Sequence, residues 1–481
     1  MNLADLRTFV DQRWDNELIP RLVEYVKVPA KSPAFDASWL AHGHLQAVIK
    51  DAHAWAATQK IAGLKLEIVA IEGRTPCIFF DVPATGGLGN ARTVLFYGHL
   101  DKQPEMTGWR DDLGPWRPVI EDGKLYGRGS ADDGYAIYAA LTVIGALDAQ
   151  GVARPRCVGI IESCEESGSP DLPAYLEILA PRFGDVALVA GLDSGCGNYE
   201  QLWVTTSLRG LVGGTLTVEV LTEGVHSGNA SGLVPSSFRI ARQLLNRVDD
   251  PATGRLLDDV FHARIPQERL EQARRAGDIL GEQVWRQFPW VGCNHGPDGH
   301  LHAQPTTKDP IEAILARTWR PALSVTGAAG LPSIDSAGNV LRPKTTLKLS
   351  LRIPPTVDAQ RATQVLKQLL ETDPPYSARV TFDPDWGATG WNATATAPWL
   401  KRAADAASLA VWGKDSAWMG EGGTIPFMNM LGEKFPQAQF LITGVLGPKS
   451  NAHGPNEFLH IPYVKKLTAA VSSIVTAVPA Q

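Results

Sequence analysis

Imidazole and carboxylate side chains fall in short clusters that are far apart along the chain and alike in setting. Gly98-His99-Leu100-Asp101 follows the apolar run TVLFY, and Glu162-Ser163-Cys164-Glu165-Glu166 follows RCVGII. Gly191-Leu192-Asp193-Ser194-Gly195 follows VALVA, and Asn451-Ala452-His453-Gly454 comes a few residues after QFLITG. Asp132 and Asp133, in GRGSADDG, stand just ahead of another apolar stretch. Singly, a His after a strand is an ordinary loop residue and an Asp before a helix an N-cap. Recurrence at four strand ends is what points to chemistry. So many carboxylates at one rim would repel one another unless positive charge lay among them. Two divalent cations supply it, and a mixture of His with Asp and Glu suits zinc or a similar borderline metal. Two metals ~3.5–4 Å apart share a bridging carboxylate and a bridging water, which becomes a nucleophile at neutral pH. With two His and three carboxylates as ligands, Asp101 and one Glu remain over. Asp101, two residues beyond His99, points the same way on a strand and can hold the imidazole. The spare Glu can serve as general base. The residue types alone thus reach a dinuclear metallohydrolase.

The elements that must position these groups are legible in the apolar pattern. TVLFY (93–97), RCVGII (156–161), VALVA (186–190) and QFLITG (439–444) read as buried strands, with a buried helix over 135–147 between the first two. Strand, helix, strand at this spacing predicts a mostly parallel sheet covered by helices, with ligands in the crevice beyond the strand ends. The texture changes near Arg209. Residues 214–220 and 345–353 alternate like strands with one wet face, 236–247 and 359–372 read as amphipathic helices, and 379–382 begins another strand. This is a small α+β unit of antiparallel character, with an insertion rich in charge and turn residues over about 249–321. Beyond about residue 391 the first texture returns, with helices over 397–412 and from 462 onward. The expected architecture is α/β: a mostly parallel, mixed-sheet domain formed by 1–208 and 389–481, interrupted by a smaller α+β domain over 209–388.

Composition narrows the field of functions. The 481 residues carry 45 basic and 51 acidic side chains, a net charge of -6, and no basic run, so nucleic acid is excluded as a partner. The charged N-terminal stretch reads as a first helix and not a signal peptide, and no apolar run approaches the ~20 residues that span a bilayer, so no membrane is expected. Five scattered cysteines without CxxC pairing suit a reducing compartment, which implies a cytoplasmic protein. An α/β oxidoreductase is disfavoured, because no GxGxxG follows the first strand.

The motifs YGHLDKQPE, GRGSADDG, ESCEESGSPD, GLDSG, VHSGNASG, EGGTIP and NAHGPNE, in this order, together resemble the M20 metallopeptidase family, in the branch of the carnosinase-like dipeptidases. The match runs from about Val94 to the C-terminus. The resemblance implies that His99 and Asp193 bind one metal and Glu166 and His453 the other, with Asp132 bridging them. It makes Asp101 the residue that orients His99, and Glu165 the general base that passes a proton from the metal-bridging water to the leaving amine. It implies a cis peptide after Asp132. It implies a homodimer formed through the inserted lid domain, with His226 reaching the partner's site to stabilise the oxyanion. Arg352 matches the clamp for the substrate's terminal carboxylate, Thr424 a hydroxyl at the same group, and Asn339 a further lid contact.

The implied activity is cleavage of dipeptides or short peptides with two divalent metals per subunit, zinc first and manganese or cobalt as alternatives. The nearest rival is an N-acyl-amino-acid amidohydrolase with the same site; a catalytically silent binding protein is the rival from another class. Departures from the family pattern touch no proposed ligand. Leu100 and Lys102 stand where relatives carry an aromatic and an aliphatic residue, and the charge of Lys102 has no evident role. The segment GCNHGPDGHLH brings Cys293, His295, His300 and His302 together, as a further metal site or as a polar loop.

Overall fold

The computed structural model describes residues 1–291, 303–385 and 387–479. The chain parts into two compact units: Met1–Thr206 with Ala393–Met419 and Met430–Gln481, and Ser207–Asn392 with Gly420–Asn429. The Cys293–His302 cluster lies outside the described residues.

In the first unit, four strands run parallel in the order Arg156–Glu162, Arg92–His99, Asp185–Gly191, Gln439–Ile442. They are apolar on both faces because both faces are covered, as parallel sheets require. Helix Ala136–Ala149 is buried along almost its whole length, and helix Ile461–Val475 along its inner face. Two strands that the sequence reading does not include, Lys65–Val69 and Cys77–Val82, extend the sheet antiparallel beyond Arg156–Glu162. Neither ends in a group capable of chemistry, which is the mark that singles out the others. Parallel order has one consequence for the site: His99, the Glu165–Glu166 turn and Asp193 all leave the sheet at the same edge.

The second unit is a four-stranded antiparallel sheet in the order Ala322–Ala329, Lys344–Ile353, Gly210–Glu219, Arg379–Pro384. Lys344–Ile353 alternates buried and exposed residues, placing Leu347, Leu349, Leu351 and Ile353 in one core with Leu216, Ile240, Leu244, Leu366 and Phe382. Helices Ser237–Leu245 and Ala359–Glu371 close that face. The stretch 249–321, expected as a turn-rich insertion, holds helices Gln267–Leu280 and Pro310–Thr318. The first buries chiefly small residues, Ala273, Ala276 and Gly277, so its period is hidden by its polarity. Gly420–Asn429 belongs with this unit, where the sequence division at 389 assigns it to the other. A side chain at Gly420 would collide with Ser207 at 2.4 Å, and that close approach ties the segment to Ser207. No described helix is long and apolar enough to cross a membrane.

Candidate metal centre

His99 closes its strand with no exposed surface. Its Nδ1 lies 3.1 Å from the carbonyl oxygen of Asp101 and 3.4 Å from that residue's carboxylate, so Nε2 faces away, into the acidic cluster. Around Nε2 stand Asp132 Oδ1 at 3.4 Å, Asp193 Oδ2 at 3.7 Å and Glu165 Oε2 at 3.9 Å, and Nε2 makes no hydrogen bond. These separations are too long for hydrogen bonds. They suit donor atoms that each sit ~2 Å from one shared cation. His453 repeats the pattern, with Nε2 3.0 Å from Asp132 Oδ2 and 3.3 Å from Glu166 Oε2. Glu166 Oε1 is likewise buried without a partner.

The donor atoms thus form two trios, His99–Asp132–Asp193 and Asp132–Glu166–His453, each within 4.8 Å. Asp132 belongs to both and offers one oxygen to each. The peptide between Asp132 and Asp133 is cis. Asp133 is buried and accepts the backbone N–H of His99 at 3.3 Å. That approach needs Gly98, since a Cβ there would stand 2.8 Å from the Asp133 carboxylate. His453 adopts a left-handed backbone, φ 63°, rare outside glycine.

Electrostatics give the same picture. Burial, and then the charge of neighbouring carboxylates, pushes Glu165 and Glu166 well above the usual carboxylate range; Asp193, buried beside His99 and Asp132, rises to about 7. Burial opposes protonation of His99, yet Asp101 and Asp132 draw its pKa up on balance. Negative charge is packed here beyond what two imidazoles neutralise, and two His with three carboxylates is a zinc-type donor set. The residues present fit divalent cations.

The loops are held by contacts invisible to spacing. The Asp101 carboxylate, expected to orient His99, accepts the backbone N–H groups of Glu165 at 3.0 Å and Glu166 at 2.9 Å, so it fixes the Glu–Glu turn as well. Glu457, fully buried, accepts a 2.6 Å hydrogen bond from Arg128 Nη1 and three backbone N–H groups, of Gly129, Ala131 and Asp132. Arg128 in turn donates to the carbonyls of His453 at 3.1 Å, Gly454 at 2.8 Å and Pro104 at 3.2 Å. One ion pair therefore joins three of the loops that carry the centre. Breaking such a pair leaves a buried charge unmatched. Glu457→Gln is expected to lower stability by about 3–5 kcal/mol, measured by denaturant unfolding. An effect under about 1 kcal/mol would mean that Arg128 finds another partner. Neither residue carries a spacing signal; only the acid in NAHGPNE and the base in GRGSADDG hint at them.

Lys102 is buried, and its place is now plain. Its ammonium donates to the carbonyls of Tyr25 at 2.7 Å and Val28 at 2.8 Å, at the end of helix Ile19–Lys27, and lies 3.8 Å from the Tyr25 ring. It caps a helix C-terminus, where positive charge is favoured.

The remaining sequence candidates lie in the second unit. His226 is exposed and pairs with Val340, one residue from Asn339, whose carbonyl accepts the Ser227 N–H at 2.9 Å. His226 Nδ1 accepts the Gly228 N–H at 3.0 Å, which assigns the ring proton to Nε2 in the neutral form. Arg352 Nη1 donates to the Thr424 hydroxyl at 2.8 Å, so these two candidates are in contact.

Comparison with known proteins agrees with this geometry. The chain is 25% identical over 375 residues to the cysteinylglycine-S-conjugate dipeptidase of Corynebacterium striatum, covering 77% of each chain. It is 28% identical over 390 residues to the Cys-Gly metallodipeptidase DUG1 of Saccharomyces cerevisiae, covering 77% of this chain and 76% of that one. The fold matches the crystal structure of human carnosine dipeptidase 1 with a TM-score of 0.75 at 20% identity, over 99% of this chain and 98% of the other. The family model for peptidase family M20/M25/M40 matches residues 95–477, and with the paired donor trios inside that span the chain belongs to this family of peptidases.

Proposed function

We propose that the protein is a two-metal dipeptidase, with His99 and Asp193 holding one ion, Glu166 and His453 the other, and Asp132 shared. Zinc is the expected metal, with manganese or cobalt as alternatives. The observation that carries this reading is the division of Asp132, one oxygen toward each imidazole. Bound divalent cations polarise the scissile carbonyl and lower the pKa of water.

The chain's own residues do the rest. Glu165 takes the proton of the attacking water as the new C–O bond forms, and gives it to the amine nitrogen as the C–N bond breaks. Asp101 holds Glu165 in place through its backbone N–H. Arg352 and Thr424 bind the substrate's terminal carboxylate, to which a guanidinium fork is matched, and Asn339 contacts the substrate beside His226.

The protein acts as a homodimer formed through the second unit, with the exposed His226 donating from Nε2 to the oxyanion in the partner's site. The four described cysteines, Cys77, Cys157, Cys164 and Cys196, are buried and form no disulfide, which supports a reducing, cytoplasmic setting.

The deciding experiment is hydrolysis of a panel by the metal-reconstituted enzyme: free dipeptides including a β-alanyl one, their N-acetyl forms and their C-terminal amides. Free dipeptides are expected to be cut and amides refused. Preference for N-acetylated compounds would make it an N-acyl-amino-acid amidohydrolase instead. The dimer has its own test. Mixing His226→Ala with Glu165→Ala subunits is expected to restore part of the activity, because one hybrid site keeps both groups. Absence of recovery would remove His226 from the partner's site.

A further inference from the structure

Arg209 stands at the corner where the chain enters the second unit, and its neighbour Gly210 pairs with Ile353 while Leu211 pairs with Arg352. The two arginines therefore occupy the same end of adjacent strands. Thr424 joins them: its hydroxyl accepts from Arg352 Nη1 at 2.8 Å and donates to the Arg209 carbonyl at 2.6 Å. Among the described residues the Arg209 guanidinium meets only neutral oxygens, the carbonyls of Gly422 at 3.3 Å, Ala316 at 3.3 Å and Arg320 at 3.4 Å. Among the described residues no ion pair engages Arg209 or Arg352. Arg317 lies close enough to repel Arg209, and itself has Glu421 as nearby acid.

Three arginines, all largely removed from water, thus lie near one another, and Glu421 stands beside Arg317. Burial, and after it the charges of Arg352 and Arg317, depresses the Arg209 pKa to about 10, far below the usual arginine range. Unmatched buried cations are costly unless an anion completes them. A single terminal carboxylate matches Arg352 and leaves a surplus charge at Arg209.

Resting on the dipeptidase reading above, we infer that Arg209 and Arg352 form a two-arginine subsite that selects substrates whose C-terminal residue carries a second carboxylate, such as dipeptides ending in glutamate. The α-carboxylate engages Arg352 and Thr424, and the side-chain carboxylate engages Arg209. Glutamine in the same place presents a neutral amide of nearly the same shape, which forms no charge-assisted bond.

The test is the ratio of kcat/KM for Ala-Glu to that for Ala-Gln, measured with the same preparation so that the folded fraction cancels. Wild type is expected to favour Ala-Glu by at least ~10-fold. In Arg209→Met the ratio is expected to fall to about one, whereas Arg352→Met loses activity on both substrates. A wild-type ratio of one or less, or a ratio unmoved in Arg209→Met, overturns the inference. If neither dipeptide is cleaved, the dipeptidase reading fails first, and calorimetric binding of L-glutamate against L-glutamine decides the subsite alone. Tighter glutamate binding that Arg209→Met abolishes sustains the subsite; equal binding removes it.

Discussion

Asp132→Ala is expected to lose both metal ions and to cut turnover by more than about 10⁴-fold, within the 10⁶-fold or greater acceleration that enzymes provide. The reason is geometric. Each oxygen of Asp132 belongs to a different donor trio, so removing one side chain leaves both trios with two members. It also leaves the buried His99 Nε2 facing only Asp193 and Glu165, at 3.7 and 3.9 Å. Loss of either ligand alone, as in Asp193→Ala, should spare the other trio. Elemental analysis of the purified variants checks both statements. One metal retained at full occupancy in Asp132→Ala would show that the carboxylate is not shared.

Glu165→Ala gives the opposite split, keeping its metals and losing about 10²–10⁴-fold in kcat, the usual contribution of a positioned proton carrier. Glu165 is the farthest of the three carboxylates from His99 Nε2 and stands in neither trio. Its backbone, though, is pinned by Asp101, so the side chain is held beside the centre without being part of it. Metal content and KM are expected to stay near wild type while kcat falls. A variant that loses metal in step with activity would make Glu165 a ligand and would move the proton transfer elsewhere.

Much of this site could be read from residue order because parallel strands advertise themselves. TVLFY, RCVGII and VALVA are apolar on both faces, and each is followed at once by the group it delivers. The second unit was legible for the converse reason: TTLKLSLRI alternates because one of its faces is wet. What escaped has no period. The Asp101 carboxylate grips N–H groups 64 and 65 residues away. Arg128 and Glu457 meet across 329 residues, through side chains aimed at backbone atoms. Helix Gln267–Leu280 buries small residues beneath a charged surface, so hydrophobic spacing does not reveal it. Lys102 looked like a stray charge near the centre because nothing in its own motif names the helix end that it caps.

The bond between Arg128 and Glu457 also sets a timetable. Asp132 and His453 are aimed by partners that leave the ribosome hundreds of residues apart, with the whole of the second unit made between them. The nascent N-terminal half carries His99, Asp132, Glu165, Glu166 and Asp193, yet lacks both His453 and the acid that braces the Asp132 loop. The Asp132–Glu166–His453 trio is therefore complete only after residue 453 has been made. A chain cut short before residue 453 lacks both the imidazole of that trio and the acid that braces the Asp132 loop.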